Sequence, residues 1–214
     1  MKKGNRTVMT DPGETAAILP GDPQRCAGLL TDWYLLHARP LPWRDTPDAY
    51  RVWVSEVMLQ QTRIEAVLPY FDRFMQALPT VEALAACDED RLLKLWEGLG
   101  YYSRVRNLQK AAVQLMERWE GKLPADYEAL LTLPGIGEYT AGAVASIAYG
   151  IPVTAVDGNV LRVLARLTAC RGDILQPSVK KELTGIAREM LPAQEPGCFN
   201  QAIMELGETV CLPN

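Results

Sequence analysis

The pattern of apolar and polar positions along the chain is helical almost throughout. Apolar residues recur three and four positions apart from Cys26 to Leu36, which is the spacing of one face of an α-helix. No segment alternates in the way typical of a strand, so the pattern predicts an all-α fold. The predicted helices have the approximate bounds 49–62, 64–78, 81–86, 89–97, 103–121, 126–131, 138–149, 159–169, 179–191 and 199–211.

Residues 1–22 form a different kind of segment, because they carry Gly, Pro and Thr without periodicity. They predict a flexible N-terminal arm. The remainder, 23–214, is predicted to form two helical lobes, a middle lobe at about 43–150 and a second lobe built from the N- and C-terminal helices. Thr80, Ser103 and Asp126 stand at predicted helix starts, where such side chains cap free N–H groups.

The amino-acid composition limits the kinds of functional site that the chain could carry. The 214 residues are 48% hydrophobic, which is enough for one or two packed domains. The five cysteines contain no CxxC pair and their number is odd, as expected for reduced thiols and a cytoplasmic protein. The single histidine, His37, is expected at a helix end, and its isolation excludes His-based metal sites and Ser-His-Asp triads. No apolar run predicts a membrane span.

Charge leaves a nucleic-acid partner open. The net charge of −4 is unlike the strongly basic balance of most such proteins. Two stretches are locally basic, however, one from Tyr101 to Lys110 and one that follows Asp157. Each stretch is compatible with phosphate contacts or with an ordinary solvated helix face. Their basic residues are Arg104, Arg106 and Lys110 in the first stretch, and Arg162, Arg166 and Arg171 in the second.

A glycine-rich turn from Leu133 to Gly142 opens an apolar helix. Gly135 and Gly137 allow a close backbone approach, and the helix start offers free N–H groups to an anion. The turn therefore predicts a seat for a phosphate, and Asp157 follows it by about twenty residues. The alternative is a helix corner that glycines merely terminate.

A second signal is a carboxylate within an apolar helix. Glu56 has Val52, Trp53 and Leu59 on its own helical face. Burial would raise the pKa of this carboxyl and allow it to act as a general acid. The alternative is a surface Glu paired with Arg51 or Arg63.

Amides and aromatic residues accompany this acid. Gln60 and Gln61 follow it, and Leu99 and Tyr101 lie beside a glycine turn. Such groups suit base contacts and insertion into a duplex, although a polar helix end and core packing explain them as well. Two carboxylates in different environments suit cleavage of a glycosidic bond, and extrusion of a base from a duplex would precede it.

Five segments, taken together and in order, resemble the helix-hairpin-helix DNA glycosylases, and most closely the adenine-specific members of that family. The resemblance runs from about residue 24 to the end and implies an all-α, two-lobed fold with the active site between the lobes. The matching segments are 41–44, 55–62, 96–104, 133–142 and 156–160.

The resemblance also implies roles for individual residues. Glu56 would protonate the adenine and later position water, and Asp157 would stabilise the cationic sugar. Tyr139 and Asn159 would support these two carboxylates. DNA contacts are implied for a larger set, namely Arg39, Trp43, Arg44, Gln60, Gln61, Leu99, Tyr101, Arg104, Gly135, Gly137 and Thr140.

The implied partner is double-stranded DNA with adenine opposite 8-oxoguanine or guanine, bound by a monomer. Related enzymes carry a lysine in the hairpin helix that forms a Schiff base with the sugar. Here Tyr139 occupies that position, and no lysine lies between Lys122 and Lys180. We therefore expect base removal by water alone. A mismatch glycosylase of another base preference, a DNA-binding fragment without activity and a purely structural helical protein remain alternatives.

The family also implies cofactors. Its catalytic domain usually ends in four cysteines that bind a 4Fe–4S cluster, and Cys211 resembles the first of them. Since three residues follow Cys211, the expectation is a truncated form that cannot complete the cluster and lacks the family's C-terminal domain for 8-oxoguanine recognition. The hairpin of the family often holds a monovalent cation on backbone carbonyls.

Overall fold

The computed structural model describes residues 19–45 and 48–213. Across this part of the chain all regular secondary structure is helical, which confirms the all-α prediction, and none of the helices is long and apolar enough to cross a membrane. The predicted arm lies outside the described residues as far as residue 18. The helices are α1 (Pro23–His37), α2 (Ala49–Leu59), α3 (Ile64–Ala77), α4 (Val81–Ala85), α5 (Glu89–Trp96), α6 (Ser103–Trp119), α7 (Tyr127–Leu131), α8 (Glu138–Tyr149), α9 (Gly158–Leu167), α10 (Pro177–Met190) and α11 (Pro196–Thr209).

The helix starts and ends predicted from the sequence mostly lie within a few residues of those in the structure. Thr80 and Asp126 cap α4 and α7 through their side chains, and His37 ends α1, as predicted. The prediction that Ser103 caps α6 is wrong, because the residue before the helix is Tyr102 and Ser103 is already helical. The α2 helix stops at Leu59, earlier than expected, and Gln61 then turns into the left-handed region with φ +58°.

Two hydrophobic clusters organise the molecule. The larger one gathers α2 to α8 around fully buried rings such as Trp53, Phe71 and Trp96. The smaller one joins Ala27 of α1 to α9, α10 and α11, with Phe199 at its centre. A cleft that receives residues from both clusters is thereby formed where α2 and α8 face α9 and α11.

Glycines and one buried amide bring the backbones around this cleft into close contact. A Cβ on Gly142 of α8 would collide with the carbonyl oxygen of Thr154, and one on Gly207 of α11 would lie 2.8 Å from Cβ of Asn159. Asn200 of α11 accepts from the Ala155 N–H at 3.1 Å and donates to the Val153 carbonyl at 2.9 Å. The segment that leads into α9 is therefore fixed on two sides.

Candidate active site

The cleft holds a cavity of about 510 Å³. Its wall combines apolar side chains with several carboxylates and amides, a composition typical of small-ligand sites. The residues that matter below are Arg39, Trp43, Arg44, Glu56, Gln60, Gln61, Tyr139, Asp157, Asn159, Gln201, Glu205 and Glu208.

Glu56 enters this cavity from α2, where burial dominates its chemistry. The residue is 6% exposed, and its Oε2 atom has no hydrogen-bond partner among the described residues. Burial raises the pKa of Glu56 to about 7, and the nearby Asp157 carboxylate raises it further, whereas Tyr139 and Arg44 act in the opposite direction. This carboxyl can therefore keep its proton at a much higher pH than an exposed glutamate does. Within the described part of the chain, the alternative pairing with Arg51 or Arg63 is not present.

Tyr139 reaches Glu56 from the first turn of α8. Its hydroxyl hydrogen-bonds with Glu56 and lies 3.2 Å from Sδ of Met204. Burial raises the pKa of Tyr139 well above its usual value, and the two neighbouring carboxylates add to the rise. Tyr139 is therefore neutral, and its hydroxyl favours the ionised form of Glu56.

Asp157 is the N-cap of α9. Its Oδ1 accepts from the Val160 N–H at 2.8 Å, and its Oδ2 accepts from Nδ2 of Asn159 at 3.0 Å. Burial raises the pKa of Asp157, while these hydrogen bonds and Arg162 oppose the rise. The helix N-terminus and the donated hydrogen bonds favour the ionised form, so the arrangement fixes a carboxylate at the cavity wall beside Glu56. Asn159 lies beside Asp157, the carboxylate that the resemblance implied it would support.

A third carboxylate, Glu205 of α11, binds the two arginines of the cavity. Its Oε1 accepts from Nε of Arg39 at 2.6 Å, and its Oε2 accepts from Nη2 of Arg44 at 2.9 Å. Burial alone would raise the pKa of Glu205, but the hydrogen bonds and charges of Arg39 and Arg44 lower it to about 2. Arg39 and Arg44 are thus held at the cavity by an internal anion.

The sequence-predicted contact residues separate into two groups. Gln61 and Tyr101 are exposed, and Tyr101 keeps 62% of its surface. Trp43 is 6% exposed and packs edge-on against Phe71, so it lines the cavity from within the core. Gln60 is half-buried beside Gln61 and also lines the cavity.

Three of the predicted DNA contacts involve buried residues. Leu99 is 7% exposed within the larger hydrophobic cluster, and Thr140 is 2% exposed in the first turn of α8. Arg104 is 8% exposed, and its guanidinium donates to backbone carbonyls. The free chain therefore buries these three side chains, and the contact of these residues with DNA stays a prediction.

Other arginines of the two basic stretches also make ion pairs or hydrogen bonds within the protein. Arg106 pairs with Glu89 at 2.9 Å, and Arg162 donates to the carbonyls of Cys211 and Gly207. Lys110 and Arg171 remain exposed. Several arginine side chains in this protein donate to backbone carbonyls. Neither phosphate contacts nor an ordinary solvated helix face, the two interpretations of the basic stretches, describes such arginines fully.

The glycine turn does have the predicted form. Gly135 adopts φ +80°, and a Cβ there would lie 2.8 Å from Cβ of Asn107. Gly137 is the N-cap of α8 and makes no side-chain cap, so the first N–H groups of this helix have no side-chain acceptor there. Both glycines are exposed, and the helix start therefore faces solvent with its positive end.

Cys211, which resembles the first cysteine of the family's 4Fe–4S site, lies just after the end of α11, and the cluster that the resemblance implies stays a prediction. Sγ of Cys211 lies 3.1 Å from Nη1 of Arg166, and the described residues contain no group of three or more His, Cys, Asp or Glu that could hold a metal ion. A cluster needs four thiolates.

Sequence reasoning missed Glu205, Gln201, Glu208 and Asn200, all of which lie on α11. The signal for Glu205 was nevertheless available, since it is a carboxylate within an apolar helix, as Glu56 is. Asn200 carried no such signal, because its role appears only when 153–155 lies against it.

The model of the HhH-GPD superfamily of base excision DNA repair proteins matches residues 54–189. This chain belongs to that superfamily. Human adenine DNA glycosylase is 48% identical over 195 residues, which cover 87% of this chain and 36% of that protein. The adenine DNA glycosylase of Buchnera aphidicola subsp. Schizaphis graminum is 36% identical over 186 residues, covering 86% and 54%. The chain thus spans about a third to a half of the length of these curated relatives.

Solved structures agree on the fold. A trapped covalent intermediate of endonuclease III with DNA superposes with a TM-score of 0.75 at 26% identity, covering 89% of this chain and 86% of that one. A thermostable thymine-DNA glycosylase superposes with a TM-score of 0.77 at 22% identity, covering 90% and 89%. The all-helical glycosylase fold expected from the sequence is therefore confirmed, while its division into two lobes stays a prediction.

Proposed function

We propose that this chain is an adenine DNA glycosylase of base excision repair, which hydrolyses the N-glycosidic bond of adenine mispaired with 8-oxoguanine or guanine and leaves an abasic site. The observation that carries the proposal is the pairing, in one cavity, of the buried carboxyl of Glu56 with the hydrogen-bonded carboxylate of Asp157. The adenine DNA glycosylases among its relatives support the choice of base.

Glu56 is the general acid of the proposed reaction. Its proton moves to a ring nitrogen of the extruded adenine, which makes the base a better leaving group while the bond to the sugar breaks. The resulting Glu56 carboxylate then accepts a proton from the attacking water, so that the acid is restored at the end of the cycle. A pKa of about 7 suits both transfers at neutral pH.

Asp157 stabilises the sugar while it carries positive charge. Its oxygens are fixed by the Val160 N–H and the Asn159 amide, and a preorganised anion of this kind lowers the energy of a developing cation without reorganising. The fixed position also suits transient covalent capture of the sugar.

Water is the proposed nucleophile. Among the described residues no lysine lines the cavity, and Tyr139 occupies the place from which a lysine of the hairpin helix would reach the sugar. A Schiff base requires an amine, so the reaction should end at the abasic site without strand cleavage.

DNA is the proposed partner, bound as a duplex by a monomer. Endonuclease III appears in complex with DNA in two structures with this fold, at TM-scores of 0.75 and 0.72. The exposed turn at Gly135 and Gly137 would receive a phosphate, with a monovalent cation on its carbonyls, while Gln61 and Tyr101 would enter the duplex. An adenine within the stack must leave it to reach Glu56.

The test is single-turnover removal of adenine from a duplex with adenine opposite 8-oxoguanine, with strand breaks scored before and after alkali. Alkali-dependent breaks that vanish in Glu56→Gln are the expected result. Duplexes with adenine opposite guanine, and with thymine or a cytosine lesion in the mismatch, measure base preference.

Three results would contradict parts of the proposal. Breaks without alkali would mean that a lyase step exists despite Tyr139. Faster removal of another base would favour a related mismatch glycosylase. Mismatch binding without any removal would mean that the chain recognises DNA but does not act on it.

A further inference from the structure

Two short loops beside the cavity carry the exposed residues Gln61 and Tyr101. The Gln61 loop comprises residues 60–62, after α2, and the Tyr101 loop comprises residues 97–102, between α5 and α6. Both contain a non-glycine residue in the left-handed region, with φ +58° at Gln61 and +46° at Tyr101. This backbone conformation persists only where the surroundings impose it, and it is common where a protein meets a ligand.

The group that imposes it lies behind both loops. Nη1 of Arg104 donates to the carbonyl of Met58 at 2.9 Å and to that of Gln60, at the end of α2. Nη2 donates to the carbonyl of Leu99 at 3.0 Å, within the Tyr101 loop. One guanidinium therefore binds the backbone of both loops at once.

Further contacts join the same three parts. Both Nη atoms lie 3.3 Å from Oγ1 of Thr62. The guanidinium carbon lies 5.5 Å from the ring centre of Tyr101 and 5.5 Å from that of Trp96, within the range of cation–π contacts. Trp96 itself donates to the Gly100 carbonyl at 3.1 Å. Arg104 thus contacts the backbone of each loop and one of the two exposed side chains.

Arg104 has backbone carbonyls, and not carboxylates, as its main partners. It is 8% exposed, and none of the salt bridges among the described residues involves it. The carbonyls of Val57, Met58 and Gln60 are acceptors at the negative end of α2, where a cation is favoured. Only a planar fork with several donors can bind both loops, which a lysine ammonium cannot reproduce.

We propose that Arg104 is a positioning residue that joins the Gln61 loop and the Tyr101 loop into one DNA-contacting unit, so that Gln61 and Tyr101 meet the duplex at a fixed spacing. The inference rests on the proposed function, since it specifies how that function's DNA contacts are arranged. It assigns Arg104 no contact with DNA itself, in keeping with its burial.

The first experiment needs no DNA. Hydrogen exchange of the free protein is followed at 60–62 and 97–102 in the wild-type chain, in Arg104→Lys and in Arg106→Lys as the matched control. Arg106 lies on the same helix, but its side chain pairs with Glu89 and with neither loop. Faster exchange in both loops of Arg104→Lys, and in neither loop of the control, is expected. A change confined to one loop would overturn the proposal, whatever the activity of the chain.

The second experiment measures coupling in a Glu56→Gln background, as the ratio of affinities for a duplex with adenine opposite 8-oxoguanine and for a matched duplex. Gln61→Ala, Tyr101→Ala and the double variant are each measured with the native Arg104 and again with Arg104→Lys. With the native arginine, each single change should lower the ratio about tenfold and the double change little more than tenfold. In the Arg104→Lys background, the two losses should multiply.

Multiplying losses in the protein that keeps Arg104, or equal coupling in both backgrounds, would overturn the proposal. A protein with no mismatch preference at all would count against the proposed function alone, because the exchange result is read without DNA. If Arg104→Lys fails to fold, Thr62→Val replaces it, since it removes the hydroxyl shared by both Nη atoms. Faster exchange in the Tyr101 loop, where Thr62 does not lie, is then the expected result, and its absence would contradict the proposal.

Discussion

Glu56 and Glu205 are both buried glutamates of the same cavity, yet their pKa values are shifted in opposite directions from that of an ordinary glutamate. The pKa of Glu56 is raised to about 7, and that of Glu205 is lowered to about 2. Glu56 has a free oxygen and a neutral tyrosine donor among the described residues. Glu205 has two guanidinium partners. Burial therefore does not decide the protonation of a carboxyl by itself, and the partners supplied by the fold decide which glutamate can donate a proton.

The largest test of this difference is catalytic. Glu56→Gln should lower the single-turnover rate of adenine removal by about 10³-fold, because an amide cannot supply the proton. Glu205→Gln should lower the rate by about tenfold, since it only loosens Arg39 and Arg44. Equal losses in the two variants, measured on the same duplex, would show that the glutamates are not distinguished as proposed.

Asp157→Asn extends the comparison to the third carboxylate. The rate should fall by about 10²-fold, because a neutral amide stabilises the cationic sugar poorly. Asparagine still caps a helix, so the melting temperature should change little. Asp157→Ala is the control, and should lose both the rate and about 1 kcal/mol of stability as the cap of α9 disappears. A full rate in Asp157→Asn would remove Asp157 from the mechanism.

Stability should respond in opposite directions to the two glutamate substitutions. The raised pKa of Glu56 means that folding binds a proton, so above pH 7 the ionised group opposes folding, and Glu56→Gln should then stabilise the protein by roughly 2 kcal/mol. The lowered pKa of Glu205 contributes stability above its unfolded value near 4.5, and this contribution is lost as the pH falls towards 2.

Denaturant titrations at pH 5 and pH 8 measure both effects. Glu205→Gln should destabilise the protein at both values by roughly 3 kcal/mol, since it leaves two arginines without their anion. The benefit of Glu56→Gln should be larger at pH 8 than at pH 5. If both substitutions change the free energy of unfolding with the same sign at pH 8, the assigned protonation states are wrong.

The smallest expected effect concerns Tyr139. In the wild type the rate should fall as the pH rises through about 7, where Glu56 loses its proton. Tyr139→Phe removes a hydrogen bond that lowers the pKa of Glu56, so this fall should move to higher pH by at most about one unit. A shift to lower pH in a single-turnover profile would mean that Tyr139 favours the protonated acid.

The features of this structure that depend on helical periodicity could be predicted well from the sequence. Helical spacing predicted an all-α fold, and the apolar surroundings of Glu56 indicated its raised pKa. Both inferences depend on residues close together in the chain, whose geometry a helix repeats reliably.

Arg104 and Glu205 show why the rest could not be predicted. Arg104 looked like a surface cation in a basic stretch, and its burial depends on carbonyls 44 to 47 positions earlier in the chain. Glu205 meets Arg44 across 161 positions. Contacts of this range come from the way in which the helices meet, and the local spacing of residues in a single sequence does not specify it.

The glycines around the cleft have a mechanical consequence. Gly142 brings α8 against the main chain of Thr154 and Ala155, and Gly207 brings α11 against Cβ and the main chain of Asn159. Such a contact prevents the two segments from moving closer together and allows little relative movement. The position of Asp157 relative to α8 and α11 therefore depends on close contacts that a larger side chain at Gly142 or Gly207 would displace.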